Sequence, residues 1–109
     1  MTYRINIAPR AQRDIQEIHD RIGCVEAMPD RAVAWVDGLF EILASLSEFP
    51  RRCRRAPESV WVDGELRQLL YHSHRVLFTI ENDVVNIVHI RHGAMLPLVP
   101  PAIRPEHSD

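Results

Sequence analysis

Hydrophobic residues change their spacing partway along the chain, and this change restricts the possible folds more than any other feature of the sequence. In residues 9–49 apolar residues recur every three or four positions, which is the spacing of amphipathic helices. From Leu66 to Arg91 they alternate with other residues, which is the spacing of strands with one buried face. Residues 3–8 also alternate. The sequence therefore predicts one strand, two helices and then three strands.

The first predicted helix begins at Pro9, because proline fits the first turn of a helix, where its missing N–H is not needed. Its apolar stripe consists of Ile15, Ile18 and Ile22, with charged residues between them. Gly23 follows at the position of a C-terminal cap. We therefore expect a short amphipathic helix that ends near Gly23.

The second predicted helix covers residues 31–48, and Pro50 ends it because proline disfavours helical geometry at the residue before it. Gly38 lies inside this helix at a cost of about 1 kcal/mol relative to alanine. A glycine retained there predicts a close approach by another helix or by the sheet. The apolar stripe contains Ala32, Trp35, Val36, Leu39, Ile42, Leu43, Leu46 and Phe49.

Strands are predicted at 65–71, 75–81 and 84–91, with a tight turn at 81–83. Residues 51–65 have no clear period, so we expect a loop there, in which residues 60–62 could form a short strand. The predicted fold class is α+β with the order β-α-α-β-β-β. An antiparallel helical hairpin would pack on one face of a small, mainly antiparallel sheet.

A chain of 109 residues can bury one hydrophobic core but not two, so one domain is expected at 1–96. Residues 97–109 are rich in proline, and we expect an extended or disordered tail because proline cannot donate ladder hydrogen bonds. No apolar run is long enough to span a bilayer, and the first residues lack the apolar stretch of a secretory signal. A cytoplasmic protein without contact to a membrane is expected.

All thirteen basic residues are arginine. Without lysine the chain has no lysine general base and no Schiff-base chemistry. The formal net charge of −2 argues against a protein whose function depends on non-specific phosphate binding. Cys24 and Cys53 lack the spacing of a disulfide framework or a metal site, so we expect no cofactor and no metal.

Several short patterns follow one another in a definite order along the chain. They are residues 3–11 (YRINIAPRA), Asp14-Ile15 with Ile18, Phe49-Pro50, residues 66–69 (LRQL), residues 75–80 (RVLFTI) and residues 88–93 (VHIRHG). In this order and spacing the chain resembles the RelE/ParE superfamily of toxins from type II toxin–antitoxin modules, over about residues 3–96. The resemblance implies the same β-α-α-β-β-β fold.

The resemblance also implies a cognate antitoxin, a protein with a DNA-binding N-terminal part, which would hold the toxin in a hetero-oligomeric complex. It leaves the cellular target open. RelE-like members are ribosome-dependent endoribonucleases that cleave mRNA, whereas ParE-like members inhibit DNA gyrase. We expect a ParE-like toxin, active in growth inhibition and plasmid stabilization. The alternatives are a RelE-like mRNA interferase and a non-toxic member that only binds its partner.

Cleavage of RNA by its 2′-hydroxyl needs a proton acceptor, a cation and an acid for the leaving oxygen. RelE-like proteins divide these tasks among lysines, arginines, and a tyrosine or histidine near the end of the last strand. The resemblance makes Arg75 and His92 catalytic candidates, with Arg67 and Arg91 as sources of charge. Trp61 and Arg91 are the candidates for partner contact. Lysines and a late tyrosine are absent, which favours the ParE-like alternative.

Each candidate also has a structural interpretation. Arg75 begins a strand, where arginine often pairs with a neighbouring carboxylate, and His92 can bond a nearby backbone group. The basic cluster of Arg51, Arg52, Arg54 and Arg55 follows a helix end, where cations complement the helix dipole. His72, His74 and His89 have no third ligand at a regular spacing and are interpreted as structural.

Overall fold

The computed structural model describes residues 2–61 and 65–93, with only the backbone described at residues 60 and 61. Strand β1 spans Arg4–Ile7, helix α1 Pro9–Asp20, helix α2 Pro29–Ala44, strand β2 Leu66–Tyr71, strand β3 His74–Glu81 and strand β4 Val84–His92. The predicted α+β fold and its order of elements are confirmed. The predicted tail at 97–109 lies outside the described residues.

The four strands form one sheet in the order β1-β4-β3-β2. The first and last strands of the domain lie side by side and run parallel, whereas β2, β3 and β4 pair antiparallel. The tight turn predicted between β3 and β4 is present, and Asn82 adopts a positive φ of 55° in it. This pairing joins the N-terminal strand to the C-terminal hairpin, so neither half of the chain completes the sheet alone.

Both helices pack on one face of the sheet, and the main core lies between the helices and the sheet. Its fully buried members include Ala11 of α1, Leu39 and Leu43 of α2, Val76 and Phe78 of β3, and Val85 and Ile87 of β4. Each large aliphatic or aromatic side chain buried there contributes about 1.5–3 kcal/mol. Among the described residues, no helix combines the length and the apolar character needed to cross a membrane.

Gly38 of α2 lies directly against Tyr71 of β2. A Cβ atom on Gly38 would lie 2.4 Å from the hydroxyl oxygen of Tyr71, which is closer than any real contact of this kind. The same hydroxyl donates a hydrogen bond of 2.7 Å to the carbonyl of Trp35. The predicted close approach at Gly38 is confirmed, and the approaching group is a tyrosine of the sheet.

The predicted C-terminal cap at Gly23 is wrong. The chain continues past α1 into a π-helical turn, Arg21–Val25, in which the N–H of Glu26 bonds the carbonyl of Arg21. The positive φ that ends this turn belongs to Ala27, at 56°. Gly23 instead faces α2, where an added Cβ would lie 3.4 Å from that of Ala32, so its small size serves packing.

The second helix begins two residues earlier than predicted, at Pro29, which occupies the first turn as prolines favour. It ends at Ala44 and continues as a 3₁₀ turn, Ser45–Ser47. The chain then reverses at Phe49, which has a positive φ of 50°. Pro50 therefore follows a short tightened turn and not a continuous α-helix.

The prediction of a short strand at 60–62 is also wrong for residues 60 and 61, because Pro57–Trp61 forms a 3₁₀ helix. Residue 62 lies outside the described residues. The physical reason is the side chain of Glu58, which has no exposed surface and binds Arg75 of β3. The helical turn orients the Glu58 carboxylate toward Arg75 beneath the sheet. An extended strand at the sheet edge would not require that orientation.

The loop before that turn covers part of the outer edge of β2. The N–H of Gln68 bonds the carbonyl of Arg54 at 3.0 Å, and the N–H of Ala56 bonds the carbonyl of Leu66 at 2.8 Å. Ala56 also packs on the second face of the sheet with Leu66 and Leu77. An edge strand with unpaired backbone groups promotes aggregation, and this segment protects part of that edge.

Candidate functional site

Histidines collect at the end of the sheet where the β2-β3 turn meets the last residue of β4. His74 and His92 are direct cross-strand neighbours, with ring centroids 5.3 Å apart. His72 lies in the turn itself with a positive φ of 53°. We call His72, His74 and His92 the histidine end. A cleft of about 470 Å³ opens there between the sheet and the helices.

The wall of this cleft is aromatic, and its lining carries two arginines and the carboxylate of Glu26. The ring of Trp35 lies 5.3 Å from that of His74 and 5.4 Å from that of Tyr71. Arg21 and Arg31 lie on the helical side of the cleft. Imidazole groups of the sheet and guanidinium groups of the helical side therefore line the same cleft. Such an arrangement disfavours protonation of the most buried histidine.

Burial of the ring lowers the pKa of His74, and the neighbouring charges of His92, Arg21 and His72 lower it further. The folded protein therefore binds a proton at His74 less readily than the unfolded chain does. Stability from this group is present above the unfolded pKa of about 6.5 and is lost as the pH falls toward the lowered folded pKa.

Acidification from about pH 7.5 to about pH 5.5 should therefore lower the melting temperature, which calorimetry would measure across that range. His74→Gln should flatten this part of the profile, because the variant has no proton to bind at that position. His19→Gln, on α1, is the matched control and should keep the slope of the parent. An unchanged slope in His74→Gln would contradict the prediction.

Arg75 lies behind the histidine end, on the opposite face of the sheet from the helices, and is buried. Its two terminal nitrogens donate to the two carboxylate oxygens of Glu58, at 3.1 and 2.6 Å. One of them also donates to Oε1 of Gln68, at 2.8 Å. Glu58 is fully buried and Gln68 nearly so. The structural interpretation of Arg75, pairing with a neighbouring carboxylate, is therefore correct. The carboxylate is that of Glu58, 17 residues away along the chain.

The structure brings three of the predicted site residues together and separates the others. Arg91 is the cross-strand neighbour of Arg75, and His92 follows it. Burial lowers the pKa of Arg91, and the charge of Arg75 lowers it further. Arg67 pairs in register with Phe78 and lies farther along the sheet. Its guanidinium binds Glu65 and the carbonyl of Cys53.

Trp61, the other candidate for partner contact, ends the 3₁₀ helix Pro57–Trp61. Its side chain lies outside what the structure describes, so its role stays a prediction. Arg52 of the basic cluster caps the preceding helical turn, because its guanidinium donates to the carbonyl of Glu48 at 2.7 Å and to Oγ of Ser45 at 3.0 Å. The helix-end interpretation is confirmed for this arginine.

Sequence reasoning missed a second buried polar cluster, around Asp14 of α1. Its carboxylate lies 2.5 Å from Nδ1 of His89 and accepts the backbone N–H of Ile90 at 2.9 Å. Arg10 donates to its other oxygen at 3.2 Å. Burial alone would raise the pKa of Asp14, but the hydrogen bonds from His89, Ile90 and Arg10 together lower it. These contacts fasten α1 to the part of β4 beyond β1.

One signal could have identified this cluster. Asp14 is an acidic residue on the same helical face as Ala11, Ile15 and Ile18, all of which are buried. A carboxylate on a buried helix face needs hydrogen-bond donors from another element. The pattern predicts that a donor exists, but the distance of 75 residues to His89 hides which one it is.

The chemistry available at the histidine end is that of imidazole and guanidinium groups. His92 is exposed and could exchange protons with a ligand in the cleft. Arg75, which would have to stabilise a phosphorane, is hydrogen-bonded to Glu58 and Gln68. Within residues 2–61 and 65–93, no three histidine, cysteine or carboxylate side chains are grouped so as to hold a metal ion.

The chain is similar to known toxins in both sequence pattern and fold. The family model described as ParE toxin of type II toxin-antitoxin system, parDE, matches residues 5–97. A chain of the chromosomal ParDE TA system from P. aeruginosa superposes with a TM-score of 0.69 at 19% identity, covering 84% of this chain and 96% of that one. No curated protein sequence shows significant similarity.

A second solved structure is the archaeal RelE-RelB complex from Pyrococcus horikoshii OT3. The similarity has a TM-score of 0.56 at 16% identity and covers 88% of this chain and 100% of that one. At such identities both likenesses show a shared fold. The family assignment depends on the sequence model, which spans most of the chain.

Proposed function

The chain belongs to the ParE toxin family of type II toxin–antitoxin systems, and on that premise we propose that it inhibits DNA gyrase and is neutralised by a cognate antitoxin. The observation that carries the choice of target is the state of Arg75. Its guanidinium is buried and hydrogen-bonded to Glu58 and Gln68. A group held in this way stabilises the fold and leaves the nuclease alternative without its strand arginine.

The other groups of the candidate site support the same choice. RNA cleavage requires a base, an acid and a cation that act on one phosphate. His92 supplies one imidazole, and the chain has no lysine. Arg67, one of the two proposed sources of charge, binds Glu65 and lies away from the histidine end. A RelE-like mRNA interferase would therefore need chemistry that these residues do not combine to supply.

The antitoxin would bind an apolar stripe on the exposed face of α2. Val33 and Phe40 are 54% and 45% exposed, and seven residues bring them to the same side of the helix, with Asp37 between them. An amphipathic helix of a partner can cover such a stripe, since helices bind grooves through anchors at this spacing. The end of β2 at Leu70 offers an exposed apolar side chain at the edge of the sheet for an added strand.

Inhibition of gyrase predicts a specific sequence of effects in the cytoplasm. Purified toxin should block supercoiling by DNA gyrase, and induction in cells should trigger the DNA-damage response while translation initially continues. The product of the neighbouring gene, added in equal amount, should restore supercoiling. Rapid cleavage of mRNA in the ribosomal A site, with gyrase unaffected, would support the RelE-like alternative instead.

The His92→Gln variant provides a second arm of this experiment. If His92 only lines the rim, growth arrest should stay within a few-fold of the parent. If His92 transfers a proton in catalysis, the variant should lose about 10²- to 10⁴-fold in rate. Antitoxin affinity, measured by calorimetry on the same preparations, verifies that the variant is folded.

A further inference from the structure

Phe49 combines two properties that rarely occur together. Its backbone is in the left-handed region, with φ 50° and ψ 53°, which is unfavourable for a bulky side chain. Its side chain is 79% exposed, so the ring gains little from the hydrophobic core. A single exposed aromatic residue is ordinary. An exposed aromatic residue in a strained conformation calls for a reason outside the fold.

The surrounding backbone keeps Phe49 in this conformation. Pro50 is buried directly after it. The N–H of Arg52 bonds the carbonyl of Phe49 at 3.0 Å, and the guanidinium of the same arginine donates to that carbonyl at 3.2 Å. Glycine or asparagine would adopt the same backbone at lower cost. The reversal of the chain therefore requires the left-handed geometry but does not require a phenylalanine.

The ring borders a cleft of about 550 Å³, which is lined by Tyr3, Phe49, Pro50, Arg51 and Arg52. We call these five residues the Phe49 surface. Arg51 donates a hydrogen bond of 3.0 Å to the hydroxyl of Tyr3, which places a guanidinium beside the two aromatic residues. Aromatic residues and arginine are the types enriched in protein interfaces.

The Phe49 surface and the α2 stripe suit partners of opposite charge. The α2 stripe carries Asp37 between its two apolar residues, whereas two arginines line the cleft beside Phe49. One of them, Arg51, also lies 3.8 Å from the carboxylate of Glu65. Charge complementarity selects partners and orients them. The surface includes Tyr3, which directly precedes β1 where that strand pairs with the first residues of β4, and so lies at the other end of β4 from His92.

We propose that the Phe49 surface binds the target protein, through a segment in which an apolar side chain is flanked by carboxylates. The apolar side chain would contact the ring of Phe49 in the cleft, and the carboxylates would pair with Arg51 and Arg52. This assignment rests on the proposed toxin function. It separates the target from the antitoxin, which we place on the α2 stripe.

Phe49→Asn tests this assignment, because asparagine fits the left-handed backbone and lacks the ring. The melting temperature should stay the same or rise by up to about 5 °C. Inhibition of supercoiling and growth arrest should each fall at least tenfold, while affinity for the neighbouring gene's product stays within about threefold. Val25→Asn is the matched control, since Val25 is 80% exposed and lies outside both surfaces; it should behave as the parent does.

Other results would contradict the proposed target-binding surface or the proposed function. A Phe49→Asn protein that inhibits gyrase as the parent does would overturn the surface and leave the proposed function intact. A variant that loses antitoxin affinity tenfold would assign the surface to the antitoxin and overturn the proposal. If the parent arrests growth without inhibiting gyrase, the growth arrest caused by Phe49→Asn, compared with that of the parent, tests whether the Phe49 surface binds the target. If the parent arrests no growth, the proposed function fails, and the surface fails with it.

Discussion

Arg75→Ala should destabilise the protein by about 3–5 kcal/mol, because it removes the guanidinium that forms the buried ion pair with the carboxylate of Glu58. Gln68 would lose its hydrogen bond from the same guanidinium. Urea unfolding measures the loss as a lower midpoint at an unchanged slope. Arg54→Ala, at an exposed arginine, is the control and should change stability by no more than about 0.5 kcal/mol.

A double variant separates the ion pair from its environment. Replacing both Arg75 and Glu58 by methionine removes the buried carboxylate as well, so the double variant should recover much of the stability that Arg75→Ala loses. The opposite pattern would identify Arg75 as a functional residue. In that case Arg75→Ala would stay folded with nearly full stability and bind antitoxin normally, yet lose all toxicity.

Gly38→Ala should destabilise the protein by about 2 kcal/mol, although alanine is the better helix former. The added methyl would lie 2.4 Å from the Tyr71 hydroxyl, so the ring must move and its bond to the Trp35 carbonyl is lost. Overpacking costs about 1–3 kcal/mol and the buried hydroxyl about 1–3 kcal/mol. The higher helix propensity of alanine offsets only about 1 kcal/mol of this destabilisation.

Tyr71→Phe should rescue Gly38→Ala, since it removes the clashing oxygen and leaves the nearest ring carbon at 3.4 Å from the new methyl. Thermal unfolding of the four proteins in this cycle measures the coupling. Gly23→Ala is the matched control, because its methyl would meet only ordinary contacts, the nearest at 3.4 Å. It should be neutral or stabilising by up to about 1 kcal/mol. Equal losses at both glycines would contradict the proposed clash.

Elements with a strong local signal could be predicted from the sequence, and their ends could not. Pro9 marked the start of α1 correctly, and the turn before β4 was found from its residues. The cap predicted at Gly23 was wrong because two kinds of glycine look alike in sequence. A glycine that allows close helix packing has the same local pattern as a glycine that caps a helix. Only the position of Ala32 on the neighbouring helix distinguishes the two.

The candidate site was predicted less completely, because its contacts are distant in sequence. The pairing of Arg75 with a carboxylate was one of two interpretations, and no local pattern indicated Glu58 as that carboxylate. The link from Asp14 to His89 was not anticipated at all. Ion pairs and hydrogen bonds between such residues depend on which strands and helices become neighbours, and a one-dimensional pattern does not contain that information.

The sequence by itself determined the fold class, the order of the elements and the family, because periodicity and short-range patterns are local properties of the chain. Only the tertiary structure decided that Arg75 lies buried against Glu58, that His74 and His92 face each other, and that Phe49 is strained yet exposed. These features arise where separate elements meet. Burial and the neighbouring charges then set what each side chain can do.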